Sequence, residues 1–328
     1  MKAPTRSDLP SRSDLPIPPD LTTPQDVPDS AAAPAPFRAG YVALIGRPNV
    51  GKSTLLNAFL GEKVAIVSPR PQTTRRRMLG IRTEEDAQAI FVDTPGIHRP
   101  QHALGRYMVN VARHAIPEAD VVVWVVDVAE LPEAGDRTIA TWLNQVRAPI
   151  LLAMNKSDRL PPDQVLAHTE AYTALAAPAD WTLTIATTGH NVDRLWAMIK
   201  ERLPESPAYF PEDELSDQTE RVLAAELVRE AALRFLQDEV PHGVEVLVEE
   251  WNVRDNGVVH VAAKVLVERE AHKAIVIGAH GAMLKRIGSA ARKELERLLG
   301  TRVYLELFVS VREGWRDSPS AIHWLGFR

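Results

Sequence analysis

Between residues 41 and 203, short and almost wholly apolar runs alternate with stretches in which apolar residues recur every three or four positions. The runs cover 41–45, 89–92, 121–126, 149–154 and 182–186; the periodic stretches between them cover 104–116, 137–146, 164–175 and 192–202. Runs this short and this apolar read as strands buried on both faces, and the periodic stretches as amphipathic helices. Strand and helix in turn predict an α/β domain, a mostly parallel sheet with helices on both faces. In such sheets ligands gather at the carboxyl ends of the strands.

The rhythm changes after Leu203-Pro-Glu-Ser-Pro207 and the acidic Phe210-Pro-Glu-Asp-Glu214, where proline ends the last helix. A helix over 220–237 is followed by strand-like runs over 244–251 and 258–267, joined through Asp255-Asn-Gly257, a hairpin signal. Then come a glycine-punctuated stretch over 274–288, a helix to Leu299 and a strand over 303–311, an α+β order. The pattern divides the chain into a domain at 39–203, a linker at 204–218 and a second domain at 219–328. Residues 1–38 hold nine prolines and the near-duplication Arg6-Ser-Asp-Leu-Pro10 and Arg12-Ser-Asp-Leu-Pro16, a composition that predicts a disordered tail. The tail has neither the apolar core of a signal peptide nor the basic amphipathic pattern of a transit peptide.

Composition narrows the function classes. At 45% hydrophobic and 25% charged residues the chain is ordinary for a globular protein, and no apolar run reaches the ~20 residues of a membrane span. The absence of cysteine excludes disulfides, thiolate zinc sites and thiol catalysis, and suits a cytoplasmic protein. The ten histidines show no metal-ligand spacing. The net charge of −5 conceals a separation of signs. Residues 271–293 carry five Lys or Arg and no acid, whereas 205–255 carry fourteen acidic and four basic residues. The basic stretch is a candidate nucleic-acid surface.

Three motifs carry chemistry, each after a predicted strand. Gly46-Arg-Pro-Asn-Val-Gly-Lys-Ser-Thr54 completes the G-x-x-x-x-G-K-S phosphate loop. Its glycines let backbone N–H groups turn around an anion, Lys52 reaches β- and γ-phosphates, and Ser53 offers a hydroxyl to Mg²⁺. Arg47, Pro48, Asn49, Val50 and Thr54 complete the candidate binding loop. In Asp93-Thr-Pro-Gly96, the carboxylate can hold Mg²⁺ and Gly96 can bring its N–H to a γ-phosphate, with Thr94 and Pro95 between them. In Asn155-Lys-Ser-Asp158, the Asp158 carboxylate accepts from guanine N1–H and N2 and leaves adenine unsatisfied, which disfavours an ATP-dependent enzyme; the stem of Lys156 can cover the base.

Together these motifs resemble the translation-factor class of GTP-binding domains. With Pro71-Gln-Thr-Thr-Arg75 and the second domain, residues 40–317 resemble the Era family of bacterial ribosome-assembly GTPases. The resemblance implies hydrolysis of GTP to GDP with Mg²⁺ held by Ser53, Asp93 and Thr74 of the first switch, Thr73 being the runner-up. Lys52, Thr74, Gly96 and Asn49 are then the candidate catalytic residues. Many small GTPases carry a water-orienting glutamine where this chain has Ile97, so intrinsic hydrolysis is expected to be slow. In relatives with an apolar residue there, a loop asparagine helps hold K⁺; Asn49 matches it. The guanine-side loop reads Ile185-Ala-Thr-Thr-Gly189, without the usual serine, and leaves the Ala186 N–H to meet O6.

The stretch around Gly278-Ala-His-Gly281 resembles the G-x-x-G loop of a prokaryotic-type KH domain, which clamps single-stranded RNA. Ile277, Gly278, Ala279, His280, Gly281, Lys285, Arg286 and Arg292 are the RNA-binding candidates. Ala279 and His280 stand where the family carries Lys or Arg: either one phosphate contact is lost, or His280 contributes and makes binding mildly pH-sensitive. Structural burial is the expectation for Trp251 and Trp315. By resemblance the partners are the 3′ end of small-subunit ribosomal RNA and the small subunit, in subunit maturation, with peripheral membrane contact for which no motif is present. No stable protein partner is implied, and the chain reads as a monomer. The rival reading is an RNA-binding assembly scaffold with GTP as a structural ligand.

Overall fold

A computed structural model describes residues 36–327. The proline-rich stretch lies outside these residues except for its last three, and Arg38 already opens the first strand. In chain order the elements are β1 (Arg38–Ile45), α1 (Lys52–Leu60), β2 (Met78–Thr83), β3 (Ala87–Asp93), α2 (Ala103–Ala115), β4 (Val121–Asp127), α3 (Ala134–Leu143), β5 (Ile150–Asn155), α4 (Val165–Thr173), β6 (Asp180–Leu183) and α5 (Val192–Lys200). There follow α6 (Glu220–Phe235), β7 (Glu245–Val253), β8 (Val259–Val267), α7 (Glu270–Ile277), α8 (Ala282–Leu299), β9 (Val303–Val311) and α9 (Pro319–Trp324).

The first eleven elements build the α/β architecture that the alternation predicts. The sheet order is β2-β3-β1-β4-β5-β6, parallel except for β2. β3, β4 and β5 are buried at every residue, because helices cover both faces. On one face Leu55, Leu56 and Phe59 of α1 meet Leu195, Trp196 and Ile199 of α5. On the other, Ala112 of α2, Ile139 and Leu143 of α3 and Tyr172 of α4 close over Trp124.

Several elements depart from the pattern. β2 was hidden because four of its six residues are only half-buried, so no apolar run marks it. β6 ends at Leu183 rather than 186, and Thr184–Ala186 turn away toward the ligand side of the sheet. α3 begins at Ala134, three residues before its apolar period, because Glu133 and Asp136 form a capping box.

The linker is not loose. Ile81 N–H donates to Leu215 O at 2.9 Å, Leu79 N–H to Asp217 Oδ1 at 3.0 Å, and Ser216 Oγ to Leu79 O at 2.8 Å. It therefore covers the exposed edge of β2. The second sheet has the order β7-β8-β9, antiparallel then parallel. α6 and α8 cover one face of it, with Val228, Ala232, Ile287 and Ala291 against Val246, Ala263 and Val265.

Two apolar clusters join the halves. Ile66, ahead of β2, packs with Ala224 and Leu227 of α6. Leu104 and Met108 of α2 pack with Trp315, Ile322, Leu325 and Phe327, so the C-terminal segment seals the junction. Trp315 is fully buried and its Nε1–H donates to Gly243 O at 3.0 Å, whereas Trp251 is half-buried on β7.

Candidate functional site

At the carboxyl ends of β1, β3, β4 and β5 the chain leaves an open cavity of about 740 Å³, a size that suits a nucleotide. The phosphate loop forms its floor. Gly51 has φ 103°, and a Cβ there would meet Asn155 Nδ2 at 2.2 Å; a Cβ on Gly96 would meet the Pro48 backbone at 2.6 Å. Gly51 is thus required by close approach as well as by turn geometry, and Gly96 by close approach. Ile97 N–H donates to Gly46 O at 3.1 Å, fastening the D-x-x-G turn to the loop. The Ile97 side chain lies in the core cluster with Ala43 and Trp124 and does not line the cavity.

Lys52 is buried, with Nζ donating to Gly46 O at 3.2 Å and Arg47 O at 2.9 Å. Burial pushes its ammonium down to about 8, partly offset by the Asp93 carboxylate. Ser53 Oγ donates to Asp93 Oδ2 at 2.7 Å and lies 2.9 Å from Thr74 Oγ1, which is itself 3.4 Å from Asp93 Oδ2. Thr73 instead donates its hydroxyl to Arg70 O at 2.8 Å, so Thr74 alone of the adjacent pair enters the cluster. Burial raises the Asp93 carboxyl, opposed by Lys52 and the two hydroxyls, and its Oδ1 is buried with no partner among the described residues. Three convergent hard oxygens with an orphaned carboxylate oxygen fit Mg²⁺.

Not every residue of the motifs faces the cavity. Asp93, Thr94 and Pro95 are buried behind it; the Thr94 hydroxyl donates to Leu44 O at 2.8 Å and ties β3 to β1. Arg47 lines the cavity, but its guanidinium is held by Glu130, Glu133 and the buried Asp136 at 3.1, 2.6 and 2.8 Å. That binds the phosphate loop to the start of α3, a role its place in the motif did not suggest. Asn49 donates Nδ2 to Pro69 O at 2.9 Å, which leaves Oδ1 without a bond in the described residues.

At the far end Asn155 is a hub. Its Nδ2 donates to Val50 O at 2.8 Å and its Oδ1 accepts from Ala186 N–H at 3.0 Å and the Thr184 hydroxyl at 3.3 Å. The Ala186 N–H, read from sequence as free for guanine O6, is already donated here; O6 would share it. Lys156 adopts φ 61° and pairs with Asp127 at 2.6 Å, which fixes its stem along the wall. Asp158 is exposed on the cavity wall, and its carboxylate makes no bond within the described residues.

The segment carrying Thr74 runs into the second half of the molecule. The sequence presents Arg70, Arg75, Arg76 and Arg77 as a basic surface loop; only Arg77 is exposed. Arg75 is 2% exposed, with Nη1 donating to Val244 O at 2.6 Å and Glu245 Oε2 at 2.8 Å, and Nη2 to His242 O at 2.9 Å. Arg70 donates to Leu233 O at 2.7 Å and to Leu236 O; Arg76 donates to Leu325 O at 2.7 Å and lies over the Phe327 ring. Gln72 and His98 side chains meet at 3.1 Å, with His98 Nδ1 2.9 Å from Gly96 O, so the turn after Asp93 is tied to the same segment.

The G-x-x-G turn separates α7 from α8. Ile277 is half-buried at the end of α7, and Ala279 and His280 are exposed. His280 takes φ 51°, a left-handed conformation. Lys285 and Arg292, two turns apart, share one exposed stripe of α8; Arg286, also exposed, is stacked over Phe235 at 4.2 Å.

Residues 41–156 match the family described as 50S ribosome-binding GTPase, and residues 239–316 match the KH domain. The GTPase Era of Ruminiclostridium cellulolyticum is 45% identical over 295 residues, 89% of this chain and 98% of that protein. The GTPase Era of Clostridium botulinum is 44% identical over 292 residues, 89% of this chain and 99% of that one. A crystal structure of Era in complex with MgGDPNP and nucleotides 1506–1542 of 16S ribosomal RNA is similar at TM-score 0.86 and 39% identity, over 89% of this chain and 99% of that one. A variant of Aquifex aeolicus Era bound to GDP and AlF₄⁻ is similar at TM-score 0.85 and 39% identity, with the same coverage.

Proposed function

The chain belongs to the Era family of GTPases, and from that premise we propose that it is a GTP-hydrolysing switch whose KH domain binds single-stranded RNA at the 3′ end of small-subunit ribosomal RNA during subunit maturation. The observation that carries this reading is one short segment: Thr74 lies in the oxygen cluster beside Ser53 and Asp93, and Arg75, the next residue, is buried against Glu245 of the KH sheet. Anything that pulls on Thr74 therefore pulls on the RNA-binding half.

Each residue has a task in that scheme. The N–H groups of Asn49 to Thr54 cradle the phosphates at the N-terminus of α1, and Lys52 supplies a fixed cation toward the β- and γ-phosphates. Ser53, Thr74 and Asp93 would hold Mg²⁺, which when bound neutralises phosphate charge. Gly96 offers its N–H near the γ-phosphate, while Asp158 and the Ala186 amide read guanine. With Ile97 buried in the core, no side chain there orients water, so unaided turnover is slow and hydrolysis resets more than it drives. The unbonded Asn49 Oδ1 supports K⁺ as an activating ion.

The working division is a GTP-binding domain at 39–203, a linker at 204–218 and a KH domain at 219–328, supported by the separate sheets. Cytoplasmic location and peripheral membrane contact are proposed from the family; among the described residues no helix is long and apolar enough to cross a membrane. GTP turnover measured with and without single-stranded ribosomal RNA, in K⁺ and in Na⁺, tests the scheme. RNA should raise the rate, and no stimulation would favour the rival scaffold with GTP as a structural ligand. Equal rates in the two salts would remove Asn49 from catalysis. For the RNA arm, Lys285→Ala should weaken binding and reduce the slope of log affinity against log salt by about 0.7 to 1, as for one lost phosphate contact. An unaltered slope would take Lys285 out of the interface.

A further inference from the structure

The segment 63–73, which runs into the first switch, is gripped from one side by a single helix of the other domain. Four residues of α6 or its C-terminal end reach it. Glu230 accepts from Val67 N–H at 2.9 Å and from Lys63 at 2.6 Å. The Leu233 and Leu236 carbonyls accept from Arg70, and Arg229 Nη2 donates to Thr73 O at 2.5 Å. Arg229 is 0% exposed. Burial opposes its charge, but Glu226 and Glu245 outweigh that cost and leave the guanidinium firmly protonated. Its Nη1 is buried without a partner among the described residues, an expense that well-packed proteins seldom retain without cause. The carbonyl it grips belongs to the residue before Thr74, so the bond fixes the peptide that sets the Thr74 hydroxyl 2.9 Å from Ser53 Oγ.

We infer that Arg229, though it belongs to the KH domain, is a positioning residue for GTP hydrolysis: through Thr73 O it holds the switch in the closed arrangement that retains GTP and Mg²⁺. This rests on the reading of Thr74 as a magnesium-site residue. The KH domain is then more than a recipient of the nucleotide signal. By the reciprocity of coupled sites, if GTP binding changes the affinity for RNA through α6, RNA binding changes the affinity for GTP by the same factor. α6 contributes no atom to the nucleotide cavity itself, so its influence is confined to the switch.

The test is single-turnover hydrolysis at saturating GTP, Mg²⁺ titration of that rate, and GTP and GDP affinity for Arg229→Ala and Arg229→Lys in the full chain. Arg229→Ala should hydrolyse about tenfold more slowly and need more Mg²⁺, with GDP affinity unchanged; that corresponds to one charge-assisted hydrogen bond. Arg229→Lys, which can still donate to Thr73 O, should recover most of the rate. If Arg229→Ala does not fold, Glu226→Gln, which at a partly exposed site weakens the carboxylate that holds the Arg229 guanidinium, should show the same signature at about threefold. Wild-type rates in these variants overturn the inference, as does an equal loss of GTP and GDP affinity, which marks plain destabilisation. RNA affinity in the GTP and GDP states of the unaltered protein separates the two readings. If it is independent of nucleotide the switch scheme fails, while the hydrolysis rates still decide the role of Arg229.

Discussion

Replacing Asp158 with asparagine lowers GTP affinity about a thousandfold and leaves xanthosine triphosphate the better ligand, because two charge-assisted hydrogen bonds to guanine become one acceptor contact and one donor clash. The geometry makes this a clean experiment. Asp158 is exposed on the cavity wall and bonds to nothing else in the described residues, so its loss disturbs no network of the protein. Xanthine replaces the N2 amine with a carbonyl, which the asparagine amide can donate to while its oxygen still accepts from N1–H. Competition binding with GTP, ATP and xanthosine triphosphate reads the result. An asparagine variant that binds GTP as tightly as the parent would show that Asp158 does not read the base.

Removing the Arg75 guanidinium costs about 3 to 5 kcal/mol of folding stability, the magnitude for stranding a buried charge. Glu245 is 2% exposed and loses its nearest cation in Arg75→Ala. Burial pushes the Glu245 carboxyl up, but Arg75, Arg229 and Arg76 prevail and hold it below its usual value of 4.5 in the folded protein. A carboxyl lowered on folding contributes stability that is full above the unfolded pKa and is lost as pH falls through the folded one. The parent should therefore lose stability from about pH 4.5 downward at this site, and in Arg75→Ala that acid-side loss should shrink. Urea unfolding at neutral and acidic pH measures both. A cost below about 1 kcal/mol would mean that the pair behaves as a surface bridge.

The three nucleotide motifs were legible because each is a contiguous string after an apolar strand, and local chemistry dictates its turn. The division into two sheets was legible for the same reason, since period two and period 3.6 are local properties. What the sequence concealed is long-range pairing. Four arginines in eight residues read as solvated, yet Arg70, Arg75 and Arg76 are anchored by carbonyls and a carboxylate more than 160 residues away. Arg47 sat inside a phosphate motif and gave no sign that three carboxylates near α3 would hold it. β2 has too few buried positions to announce itself, and the segment ending in Phe327 could not name its partner, α2. Thr73 and Thr74 are alike in sequence; only the direction of each hydroxyl distinguishes them.

The pairing of residues 215–217 with β2 has a consequence for timing. A KH domain on a slack tether could drift away once the first switch let go, and re-docking would be slow and erratic. Here the tether is stitched to the very strand that continues from the switch, leaving little free chain before α6 begins at Glu220. Its effective concentration at the interface is then on the order of millimolar or higher, so separation is brief and local. After any opening of that interface, a chain tethered this closely need not search for its own other half.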